Sequence, residues 1–100
     1  MQPLKIRIPK ETRELIRKMH PVLKRKVRAG LDEIVNNPGV GNPLQAELMG
    51  LQSFQIGKFR IIYRIKSKVI EIVAIGPRRT IYEETLRLVQ REERKEKERL

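Results

Sequence analysis

The stretch SFQIGKFRIIYRI, residues 53–65, constrains this chain more than any other. Gly57 and Lys58 stand between two apolar runs and fit a two-residue hairpin turn with glycine at the first turn position. The run after the turn alternates. Phe59, Ile61, Tyr63 and Ile65 fall on one face, with Arg60, Ile62 and Arg64 on the other, the period of a β-strand. KSK then turns the chain again, and VIEIVAI (69–75) is a strand rich in β-branched residues. These three strands form an antiparallel meander. Its second face raises a question, because two arginines flank an isoleucine there.

Around the meander the periods change. LKIRIP (4–9) alternates Leu4, Ile6 and Ile8 with Lys5 and Arg7, and Pro9 ends this half-buried strand. KETRELIRKM places Leu15, Ile16 and Met19 on one helical side. His20 precedes Pro21, which pushes it off helical angles, and Pro21 suits the first position of a second helix. Leu23, Val27, Leu31, Ile34 and Val35 give that helix its apolar face, and NNPGVGNP (36–43) stops it with turn residues. QAELMGLQ (45–52) has no clear period and is expected to be a connection. Gly76 and Pro77 close the last strand, and Thr80 with Glu83 has capping-box spacing for a final helix over about residues 80–98. That helix has Tyr82, Leu86 and Val89 on an apolar side widened by Ile81 and Leu88, then runs into REERKEKERL. The expected fold is α+β: an N-terminal strand, a two-helix hairpin, a three-stranded meander completing a four-stranded sheet, and a C-terminal helix. One domain spans residues 1–100.

Charge narrows the function. Lysine and arginine number 23 against 12 acidic residues, a formal net charge of +11, which suits nucleic acid, an anionic membrane surface or an acidic protein partner. No segment approaches the ~20 apolar residues of a membrane span, and no signal-peptide pattern opens the chain. With no cysteine and one histidine, a thiolate or zinc site is not expected. The expectation is a soluble cytoplasmic protein without metal or cofactor.

Few residues offer chemistry. His20 reads as a helix-boundary residue rather than a catalyst. Gly39 and Gly41 lack the lysine and Ser/Thr ending of a phosphate-binding loop. Arg60 differs, because antiparallel pairing brings its face close to the strand ending at GPRR (76–79). Arg78, Arg79 and the first turn of the last helix would then converge on it, with forked guanidinium donors and free helical N–H groups for phosphate. Tyr82 would stack on a base or share a proton. The structural alternative pairs Arg60 with a helix carboxylate and buries Tyr82 as a core anchor.

LMGLQSFQIGKFRIIYRI (48–65) followed by IEIVAIGPRRTIYEE (70–84) resembles the RelE/ParE superfamily of type II toxins, and within it the RelE side. The resemblance covers nearly the whole chain. It implies a ribosome-dependent endonuclease that cuts messenger RNA at the A-site codon without metal, held inactive by a cognate antitoxin, with a toxin–antitoxin heterotetramer as one assembly. The nucleophile would be the RNA's own 2′-OH. On that resemblance Arg60 contacts the scissile phosphate, and Arg78, or its neighbour Arg79, is the second active arginine. Tyr82 stacks on substrate and takes part in proton transfer.

One departure matters. Where RelE enzymes carry two alternating basic residues on the strand before the central one, this chain has Ser53 and Gln55. Lys58 in the adjoining turn is a substitute, and Arg64 completes the expected substrate-binding set. Two other functions follow from the same resemblance and charge: a ParE-like inhibitor that binds DNA gyrase without catalysis, and an RNA-binding module that does not cut. The trio Arg60, Arg78 and Tyr82 favours the nuclease; the residues at 53 and 55 favour the others.

Overall fold

In a computed structural model, which describes residues 5–99, the chain forms β1 (Lys5–Arg7), α1 (Lys10–Arg17), α2 (Pro21–Asn36), β2 (Asn42–Pro43), β3 (Gln52–Ile56), β4 (Phe59–Lys66), β5 (Val69–Pro77) and α3 (Arg78–Arg99). Leu4, expected to open the first strand, lies outside the described residues. Single 3-10 turns at Pro38–Val40 and Ala46–Leu48 fill the connection from α2 to β3. The sheet order is β1-β5-β4-β3-β2, with β1 parallel to β5 and every other pair antiparallel. The meander and the added first strand are as expected. The fifth strand is new: Asn42 and Pro43 pair with Ser53 and Gln52. Two residues give no readable alternation, and proline is tolerated there because the strand is an edge.

The hairpin between β3 and β4 turns at Gly57, whose φ of +55° is the left-handed conformation that glycine adopts without steric cost. The register Ile56↔Phe59, Gln55↔Arg60, Phe54↔Ile61 follows from that two-residue loop. Between β4 and β5 the register slips once. Ile62 faces Ala74 and Tyr63 faces Ile72, so Val73 is the extra residue of a β-bulge.

Both faces of the sheet are covered, and that answers the question of the arginines. On one face α1 and α2 bring Ile16, Val27, Leu31 and Ile34 onto Ile61, Tyr63, Ile70 and Ile72. On the other, Ile62 and Ala74 meet Ile81 of α3 and Leu51 in a second, smaller cluster. Ile62 is therefore apolar between Arg60 and Arg64 because α3 crosses the sheet there, leaving an arginine at either side of the crossing. Fully burying a side chain of this size stabilises by roughly 1.5–3 kcal/mol, so these contacts position α3 firmly.

Two polar details fix the frame. His20 caps α2, its Nδ1 accepting the Val22 N–H at 3.2 Å, the boundary role read from the sequence. The buried Tyr63 hydroxyl accepts the Gly41 N–H at 2.9 Å and has the Pro38 carbonyl at 2.7 Å and Gln52 Oε1 at 2.9 Å as acceptors. Burial pushes its pKa above the ordinary value, the Gly41 bond opposing only in part. Tyr63 is thus a structural pin for the turn after α2.

Candidate active site

Strand pairing places the first elements of the site. Arg60 on β4 lies opposite Gln55 of β3 and Gly76 of β5. A Cβ at Gly76 would stand 3.0 Å from Ile81 Cδ1, so the missing side chain lets α3 settle close to the sheet beside Arg60. The Arg78 N–H donates to the Lys58 carbonyl at 2.9 Å, joining the first turn of α3 to the β3–β4 turn. The helix consequently begins two residues before the Thr80–Glu83 spacing suggested, and Thr80 is inside its first turn. The first N–H of the helix is held by a backbone carbonyl, as the end of a helix requires.

Helical spacing then selects the side chains. Arg78 and Tyr82 are four residues apart and share a face. Arg79 is one step round the helix, in line with Glu83; both arginines are exposed. Tyr82 is half-buried, its ring packed against the second apolar cluster. Its hydroxyl lies 3.1 Å from Ser53 Oγ. Desolvation by the surrounding protein raises the phenol's pKa, but the Ser53 hydroxyl, the Arg60 guanidinium and the charge of Arg78 outweigh it. The net result lies below the ordinary 10.0. Arg60 Nη1 is buried without a hydrogen-bond partner. A charged donor in that state costs free energy that an anionic oxygen would recover.

Of the residues singled out from the sequence, the fold brings together Arg60, Arg78, Tyr82 and Ser53. Ser53 is only 4% exposed and lies beneath Tyr82 rather than on an open surface. Gln55 is exposed on the same strand, its amide donating to the Gly57 carbonyl at 3.3 Å. Lys58 is exposed in the turn. Arg64 does not join them: it donates to Glu71 at 3.1 Å and to Glu92 at 3.3 Å, tying the outer part of α3 to the sheet. The helix-carboxylate pairing given as the structural alternative for Arg60 thus belongs to Arg64 instead. Gly76 was read from the sequence only as a strand ending; its pairing opposite Arg60 was the signal for its role.

Chemically, two guanidinium groups and an acidified phenol at a helix start can bind a phosphodiester and accept a proton from a neighbouring hydroxyl. Among the described residues no three acidic, histidine or cysteine side chains gather as a metal site, and no helix is long and apolar enough to cross a membrane.

Comparison with known proteins agrees with this architecture. The family model described as the ParE toxin of type II toxin–antitoxin systems, parDE, matches residues 7–82. The crystal structure of the RelBE2 toxin–antitoxin complex from Mycobacterium tuberculosis is similar at 27% identity and a TM-score of 0.67, over 77% of this chain and 100% of that one. The archaeal RelE–RelB complex from Pyrococcus horikoshii is similar at 21% identity and a TM-score of 0.62, over 77% of this chain and 97% of that one. A free mutant of Escherichia coli RelE shares the fold at 12% identity and a TM-score of 0.71, over 91% of this chain and 98% of that one. No curated protein sequence matches the chain.

Proposed function

The chain belongs to the ParE toxin family of type II toxin–antitoxin systems, within the RelE/ParE superfamily, and from that premise we propose that it is a RelE-like endoribonuclease cutting messenger RNA in the ribosomal A site. The observation that carries this reading is the Tyr82 phenol beside Arg60 and Arg78, its pKa lowered against the effect of burial. A protein that acts by binding alone has no need of an acidified hydroxyl.

The proposed reaction uses these side chains, the RNA's own 2′-OH and water. Arg60 and Arg78 bind the non-bridging oxygens of the scissile phosphate and stabilise the charge that grows on them in the transition state. Tyr82, as phenolate, takes the proton of the 2′-OH. The 2′ oxygen attacks phosphorus, the bond from phosphorus to the 5′ oxygen breaks, and that oxygen takes a proton from water. The products are a 2′,3′-cyclic phosphate and a 5′-hydroxyl. Arginine is too weak an acid to serve as the proton donor. Gln55, Lys58 and Arg79, exposed around the cluster, contact the flanking nucleotides. The partner that would silence the toxin is a cognate antitoxin, a reading supported by similar solved structures that are toxin–antitoxin complexes; an acidic segment would complement the net charge of +11.

Termini are the test. Fragments from programmed ribosomes should carry the cyclic phosphate upstream and the 5′-hydroxyl downstream; a 5′-phosphate would refute 2′-OH attack. A second reading, inhibition of DNA gyrase by binding, is favoured by one observation: Ser53 and Gln55 stand where RelE-like enzymes are basic. Inhibition of supercoiling by purified gyrase, without cleavage of ribosome-bound RNA, would select it.

A further inference from the structure

We propose that Ser53 is a positioning residue for Tyr82, its hydroxyl donating to the phenol oxygen and holding it as the proton acceptor between Arg60 and Arg78. The inference deepens the nuclease reading, but its first test does not depend on cleavage.

The geometry is specific. Ser53 is the second residue of β3, opposite Ile62 of β4 and Asn42 of β2, on the face that α3 crosses. At 4% exposure it cannot touch RNA itself. Its Oγ is 3.1 Å from the Tyr82 hydroxyl, a contact that joins β3 to α3 across 29 positions of sequence. A serine hydroxyl carries one proton to give. While Tyr82 is neutral, either oxygen can be the donor; once Tyr82 is a phenolate, only Ser53 can. The bond therefore strengthens on ionisation, since a donor to an anionic oxygen is worth roughly twice one to a neutral oxygen.

Two consequences separate this arrangement from a basic residue at the same place. A lysine at position 53 would add charge and serve as a base itself; the serine adds neither, so the proton passes to Tyr82. The short side chain also leaves room for the Tyr82 ring, which packs against the second apolar cluster directly above. The departure from the basic pattern at position 53 then moves the catalytic task from strand to helix.

The chain has two tyrosines, so a spectrophotometric titration of the folded protein resolves both. Tyr63, pushed up by burial, ionises last, and Tyr82 first; Tyr82→Phe identifies the lower step by removing it. In Ser53→Ala the lower step should move up toward the ordinary tyrosine value, while Ser53→Thr, which keeps the hydroxyl, should leave it in place. A rise of one pH unit would remove about nine-tenths of the phenolate present at neutral pH. On programmed ribosomes the rising limb of the pH–rate profile should shift by the same amount, with kcat falling about tenfold and KM unchanged. If Ser53→Ala leaves the lower step where it is, with the protein folded, the proposal is wrong. If that step moves but the wild type never cuts RNA, Ser53 positions Tyr82 as proposed and it is the nuclease reading that fails.

Discussion

The backbone N–H of Arg78 donates to the carbonyl of Lys58 at 2.9 Å. This bond begins α3 at the β3–β4 turn, and with it Arg78 falls four residues before Tyr82, on the same helical face. Replacing Arg78 by alanine should therefore lower single-turnover cleavage about 100-fold, the usual effect of removing one transition-state donor. Arg79→Ala should cost less than about fivefold and act mainly through substrate affinity. The two adjacent variants, assayed side by side, check which arginine belongs to the site.

Arg60→Ala should abolish cleavage, by about 100- to 1,000-fold, without loss of cooperative thermal unfolding. The physical reason is that, among the described residues, Arg60 forms no ion pair with a carboxylate, so its removal leaves none stranded. The midpoint of unfolding should be unchanged or slightly raised. A variant that unfolds without a cooperative transition would show that Arg60 supports the fold.

For Arg64 the expectation is the reverse. It bridges Glu71 and Glu92 while 27% of its side chain remains accessible, and partly exposed pairs are worth up to about 1 kcal/mol each. Arg64→Ala should lower the unfolding free energy by about 1 kcal/mol, an effect that salt diminishes. Its cleavage rate should stay within about threefold of wild type once folded protein is counted.

Tyr82→Phe keeps the ring and loses the hydroxyl. RNA binding should survive, and the rate should drop by about 100-fold or more, as loss of a general base requires. In the wild type, ionisation of Tyr82 below 10.0 should make the rate climb with pH and level off before a free tyrosine would. With the phenolate as the proposed reactive form, a lowered pKa should raise the rate at neutral pH. The Phe variant should lose that rising limb. A limb retained in Tyr82→Phe would assign proton transfer to another group.

The sequence was informative wherever a periodic pattern was long enough to read. β4 alternates over eight residues and α2 keeps its three-and-four spacing over sixteen, so each announces both its type and its buried face. That Arg60 would lie near the start of α3 was legible because strand pairing follows from the β4 period; the choice between Arg78 and Arg79 was open in the sequence, since it depends on where α3 begins. β2 was not, having two residues. The contact between Ser53 and Tyr82 was hidden for another reason: it depends on how closely α3 settles on the sheet, where Ile81 packs over Gly76. The role of Arg64 was likewise hidden. Its partner Glu92 lies 28 positions away in a segment made almost wholly of charged residues of both signs, where no pattern marks one carboxylate from the next.

The most direct measurement is primer extension on a messenger RNA paused on purified ribosomes, with the wild-type protein beside Arg60→Ala. Cuts confined to the A-site codon, present with wild type and absent with the variant, are the predicted result. Intact messenger RNA with demonstrably folded wild-type protein would contradict the nuclease reading and leave the cluster of Arg60, Arg78 and Tyr82 as a surface for binding alone.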